Sequence, residues 1–244
     1  MVVIAVALLC IFAAAVVRGY AGFGFALISI TALSILLPPR EIIPSIFVLE
    51  LLASLRLLSS AWHDVHWQSL GRLCLGCLAG TPIGVFALAR APSAPLTVAL
   101  AIVVLFLSVM LARGFALKAL PGTIATVGTG AASGLLNGGL GIGGPPVVLF
   151  YFGSPAAIAT GRASMIAYFL FTDVLALLWQ WHAGLLSPMV FAHALLYVPP
   201  LLAGLWVGHK AFKRVDPLRF RRLILRLLMT LAVLSGGRAL LQMF

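Results

Sequence analysis

One glycine pattern occurs twice in this chain, at matching places in two long apolar runs. Gly19, Gly22 and Gly24 form G-x-x-G-x-G, and Gly138, Gly141 and Gly143 repeat it 119 residues later. The same offset carries Trp62-His63 onto Trp181-His182. It also matches Ser45, Leu51 and Leu58 with Ser164, Leu170 and Leu177. Self-similarity at a fixed offset implies a duplicated unit. A glycine-rich interruption at the same point of both copies, inside membrane-length apolar sequence, is how carriers build a solute site between repeats.

Composition removes the soluble alternatives. Only 9% of the 244 residues are charged and 63% are hydrophobic, whereas a soluble domain carries about 25% charged residues. The net charge of +11 would suggest nucleic acid in a soluble chain. Here the basic residues fall mostly between apolar segments, where they set membrane topology, so no nucleic-acid partner is expected. Cys74 and Cys77 have C-x-x-C spacing but lie in an apolar helical run with no polar partners, and with Cys10 they are read as packing residues. The N-terminal run lacks a basic start and a small-residue cleavage site, so it is read as a retained segment.

Ten apolar segments can be marked, with cores near 2–17, 24–37, 42–61, 70–89, 95–112, 119–136, 143–153, 163–181, 187–208 and 220–241. A full crossing takes about 20 residues. The second and seventh are short, and each follows a glycine motif, so they read as half-helices or as arms of re-entrant hairpins. The expected fold is an all-α, polytopic membrane protein, a single transmembrane domain over 1–244 with repeats 1–113 and 119–244. Five segments per repeat is an odd number, which makes the repeats inverted. The most basic loop holds Lys210, Lys213, Arg214, Arg219, Arg221 and Arg222, and should be cytoplasmic. Both termini are then expected outside.

Each glycine motif exposes the start of a helix. Amide N–H groups there have no intrahelical partner and the helix dipole is positive. Two such ends meeting near the midplane would form an anion site without needing a charged side chain. Pro145-Pro146 fits a first helical turn. The alternative for the glycines is close helix packing. The order G-x-x-G-x-G is not the dinucleotide fingerprint, and no P-loop, H-E-x-x-H or G-x-S-x-G occurs; the sequence calls for no enzyme activity and no cofactor.

Polar residues within the apolar segments are costly and tend to be functional. Arg18 precedes the first break and Asn137 holds the matching position before the second. Arg18 either clamps an oxyanion or snorkels to headgroups; Asn137 either donates to the same anion or caps the break. Glu50 and Asp173 lie midway along segments three and eight. Asp173 aligns with Ser54, one helical turn from Glu50, so both acids fall on corresponding faces and are candidates for proton coupling. Arg162 is a candidate gate or anion contact, and Ser164 is either a cavity residue or a cap. His63, Asp64 and His66 lack the spacing and the fourth ligand of a metal site.

At these residues the chain resembles the sulfite exporter TauE/SafE family, also called toluene sulfonate uptake permeases. The likeness rests on the run from Arg18 to Ala26, on the block from Gly134 to Val148, and on the overall duplication and size; Arg162 to Ser164 matches more loosely. It implies a bacterial inner-membrane secondary transporter for sulfur oxyanions or organosulfonates, with substrate and direction varying between members. The expected partners are therefore a small anion and the lipid bilayer, with a homodimer open as an assembly. The binding residues would be Arg18, Gly19, Gly22, Gly24, Asn137, Gly138, Gly141, Gly143 and Ser164. A passive anion channel, a carboxylate carrier and a scaffold without flux remain as alternatives.

Overall fold

The computed structural model describes residues 2–33, 39–90, 121–154 and 157–212, with the isolated positions 102, 106, 109, 226 and 230. Among the described residues every regular element is a helix: α1 Val2–Ala21, α2 Phe25–Leu33, α3 Pro39–Leu58, a 3-10 turn Trp62–Asp64, α4 Trp67–Arg90, α5 Thr123–Leu140, α6 Gly144–Phe152, α7 Ile158–His182 and α8 Pro188–Phe212. These correspond to eight of the ten apolar segments; the segments 95–112 and 220–241 lie outside the described residues, as does most of the basic loop beyond Phe212. Helix is the expected outcome, because a backbone in hydrocarbon must satisfy its own hydrogen bonds.

Among the described residues four helices are long and apolar enough to cross a membrane: α1, α4, α7 and α8. The chain is a multi-pass membrane protein. By contrast α2 and α6 have 9 residues each, roughly 14 Å of rise, which is about half of a bilayer's hydrocarbon core. The helices before the breaks run further than the sequence suggested. Arg18 and Gly19 are still in the last turn of α1, and Asn137 and Gly138 in that of α5. The interruptions shrink to Gly22–Gly24 and Gly141–Gly143.

Glycine controls how closely the outer helices approach. On α4, Gly76, Gly80 and Gly84 face the backbone of Val127, Ala131 and Leu135 on α5; Gly130, Gly134 and Gly138 of α5 face Leu73, Cys77 and Thr81 in return. A methyl group at any of these six would strike backbone, so the two helices pack as interlocked small-residue ridges. The pair α1 and α8 uses the same device, with Gly204 against Phe12, Gly208 against Val16, and Gly19 against Leu205.

Between these two pairs, α3 and α7 cross at the centre of the bundle; α3 also packs on α8, and α7 on α4. The short helices α2 and α6 tuck against α3 and α7. Of the four spans α7 is the most enclosed, with 61% of its most apolar window buried, against 33% for α8. Exposed side chains such as Leu9, Leu75, Ile83 and Leu195 give the bundle an apolar exterior. Trp62, Trp67 and Trp181 are exposed near helix ends, where an interfacial belt belongs.

Candidate functional site

Both breaks begin as left-handed helix caps. Gly22 has φ 80° and Gly141 φ 72°, a conformation that costs residues with a Cβ and not glycine. The Gly22 amide donates to the Arg18 carbonyl at 2.8 Å, and the Gly141 amide to the Asn137 carbonyl at 2.9 Å, the bond typical of such caps. The chain then turns and starts a short helix: Gly24 accepts from Ile28 N at 3.0 Å to open α2, while Gly143 is the N-cap of α6.

The breaks converge. Gly24 and Phe23 from the first, and Gly141, Ile142 and Gly143 from the second, line one cavity with Glu50, Asn137, Phe169 and Asp173. Its volume is about 20 Å³, enough for roughly one water molecule. Elements from all four central helices therefore meet there: α2 and α6 by their N-terminal ends, α3 by Glu50 and α7 by Asp173.

Arg18 is fully buried, which settles its position against snorkelling. Its Nη1 donates to the Gly22 carbonyl at 2.7 Å and its Nη2 to Ser54 Oγ at 2.7 Å. Glu50 Oε2 lies 2.9 Å from Nη2 but off the N–H direction, an ionic contact more than a directed hydrogen bond. The guanidinium stacks 4.7 Å from the Phe169 ring centre. The other Glu50 oxygen, Oε1, accepts from Ala26 N at 3.0 Å, in the first turn of α2. A carboxylate on a helix N-terminus is favoured by both the free amide and the dipole.

The second break is held by neutral groups. Asn137 Oδ1 accepts from Gly143 N at 3.2 Å, and Ser133 Oγ donates to the Gly143 carbonyl at 2.5 Å. Asn137 Nδ2 and Asp173 Oδ2 are buried without a hydrogen bond of good geometry; the two side chains lie beside each other, and both residues line the cavity. Pro145 and Pro146 occupy the first turn of α6 and supply no N–H there. The dipole remains at that end, with fewer donors to express it.

Other candidates sit outside the cavity. Gly19 and Gly138 belong to the packed helix faces, and Gly22 lies under the Arg162 side chain. Arg162 donates to the carbonyls of Tyr20 at 3.1 Å and Gly19 at 2.6 Å, closing the C-terminal end of α1 from α7. Ser164 Oγ accepts from His66 N at 2.9 Å. Nearby, Ser69 Oγ bonds both Tyr151 OH and His66 Nδ1 at 2.8 Å, a polar cluster that ties the connection between α3 and α4 to α6 and α7.

The sequence reading missed the Arg18–Glu50 pair, Phe169 as the wall behind the guanidinium, and Ser133. A usable signal existed for the first, since opposite charges buried in nearby apolar segments tend to find each other. Another lay in the offset itself: Ala26 aligns with Pro145 as Glu50 aligns with Phe169. Where positions 26 and 50 offer an amide and a carboxylate, positions 145 and 169 offer neither.

The profile of the family described as Sulfite exporter TauE/SafE matches residues 7–235. A curated relative, "Probable sulfite/organosulfonate exporter TauE" of Cupriavidus necator, is 23% identical over 208 residues, covering 82% of this chain and 80% of the relative. No solved structure gives a significant match.

Proposed function

Since the chain belongs to the sulfite exporter TauE/SafE family, we propose that it is a secondary carrier for small sulfur oxyanions, of sulfite or organosulfonate type, in a bacterial inner membrane. The observation that carries this reading is the meeting of both glycine breaks, Glu50, Asn137 and Asp173 around one cavity, with Arg18 against Glu50 behind it. Arg18 supplies the charge, Ala26 N and the end of α2 the directed donor, and Asn137 Nδ2 a second donor from the opposite break. Gly24, Gly141 and Gly143 let backbone reach the solute. Gly19, Gly22, Gly138, Arg162 and Ser164 hold the breaks in place. Glu50 and Asp173 are the groups available for a coupling proton.

Inverted repeats over 1–113 and 119–244 are part of the proposal. Reciprocal packing supports them: α1 lies on α8 as α5 lies on α4, and α3 meets α8 as α7 meets α4. Rocking of one repeat against the other would open the cavity to alternate sides. With the basic stretch from Lys210 onward placed in the cytoplasm, both termini face outward. A cavity of about 20 Å³ favours such a carrier over an open channel.

The test is solute flux in proteoliposomes, with sulfite, thiosulfate, sulfoacetate and simple carboxylates as competitors. A carrier saturates and is inhibited by the sulfur oxyanions. Flux that neither saturates nor responds to a pH gradient would point to a channel, and no flux for any of them would end the transport reading.

A further inference from the structure

The donors that the first break offers to an anion are already engaged. Ala26 N gives its hydrogen bond to Glu50 Oε1, and Arg18 lies against Oε2. The Glu50 carboxylate occupies the place that a solute oxyanion would take at the end of α2. At the second break the equivalent arrangement does not exist, because Pro145 has no N–H and Phe169 no carboxylate. What that break leaves is Asn137 Nδ2, beside the Asp173 carboxyl at the same cavity and without a hydrogen bond of good geometry. The room between the breaks is about 20 Å³, too little for a sulfonate beside the carboxylate.

We propose that Glu50 is a tethered occupant of the solute site, and that the oxyanion enters by displacing its carboxylate from Ala26 N and Arg18. The proposal rests on the carrier reading and deepens it. Three ionisable or donor groups face Glu50: Arg18 from α1, Asp173 from α7 and the Ala26 amide from α2. Arg162 is turned away onto the carbonyls of Gly19 and Tyr20. One guanidinium cannot offset both a solute anion and an ionised Glu50 at low dielectric. The displaced Glu50 therefore takes up a proton. The empty site neutralises itself with Glu50, and the loaded site carries the solute with one proton, which is the coupling.

Methanesulfonate stays ionised across the useful range and isolates the protein's titration from the solute's. It is titrated into purified protein in nanodiscs between about pH 5.5 and about pH 8.5, and proton uptake is followed in weak buffer. The expected affinity falls about tenfold per pH unit once Glu50 ionises, with about one proton taken up per anion bound. Glu50→Gln keeps an oxygen for Ala26 N but has no charge, so its affinity should be flat with pH and its binding should take up no proton. Asp173→Asn separates the two acids: proton uptake lost in it and kept in Glu50→Gln overturns the displacement. Binding by wild-type protein without slope or proton uptake overturns the displacement while leaving the carrier reading intact, as does a Glu50→Gln variant with the wild-type slope. Should Glu50→Gln fail to fold, the wild-type proton count decides alone. No binding of methanesulfonate or sulfite at any pH overturns the carrier reading, and displacement with it.

Discussion

At the first break the last turn of α1 supplies Arg18, and at the second the last turn of α5 supplies Asn137. Both breaks open on a left-handed glycine cap and lead into a helix of 9 residues, but Gly24 closes the first turn at φ 95° whereas Gly143 closes the second at φ −69°. The side chains diverge as a set. Arg18 comes with Glu50 and with an amide at Ala26 to receive the carboxylate. Asn137 comes with Phe169 and with Pro145, which needs no acceptor. Even the outer cover differs, for Gly22 lies under Arg162 whereas Gly141 lies under Ile30 and Ile43. One break is ionic and the other neutral; in the proposed carrier the ionic break would grip the charge and the neutral one would shape the pocket. The change from Ala26 and Glu50 to Pro145 and Phe169 is internally consistent, since a buried carboxylate without its donor would be costly.

The largest effect should come from the breaks themselves. Gly22→Val and Gly141→Val each place a branched side chain at positive φ and against a neighbouring side chain. Both should abolish flux in proteoliposomes while the protein still inserts and purifies; normal flux in both would remove the shared role of the breaks. Next, Arg18→Ala strands Glu50 and should cost about 3–5 kcal/mol of stability. Asn137→Ala removes only neutral bonds and should cost about 1–3 kcal/mol. Thermal unfolding in detergent compares them, and equal losses would contradict the ionic and neutral division. Ala26→Pro brings the second break's chemistry into the first. Proline is tolerated in a first turn, so the cost should be that of a hydrogen bond to a charged group, about 1.5–3 kcal/mol. The smallest effect is Ser164→Ala, which loses the bond from His66 N at about 1 kcal/mol and should leave anion competition unchanged. A shift in competition would bring Ser164 into the site.

Much of this was legible in the sequence. The offset of 119 residues marked both breaks, and alignment of Asp173 with Ser54 placed both acids toward the interior. Periodicity did not reveal which glycines served packing. Gly19 and Gly138 sit within the motif yet face α8 and α4, because the left-handed turn starts three residues later, at Gly22 and Gly141. Nor did it reveal the Arg18–Glu50 contact, which joins two helices 32 residues apart in sequence through tertiary packing. From sequence Ser164 is either a cavity residue or a cap. Its register on α7 turns it instead toward His66, away from Asp173.

The central claim is that an oxyanion sits between the two breaks, and anomalous diffraction tests it most directly. Crystals grown with selenite, an oxyanion whose selenium can be located by its anomalous signal, should show a peak among Ala26 N, Arg18 and Asn137 Nδ2. A peak elsewhere in the bundle, with that space empty while selenite still competes for transport, would contradict the account.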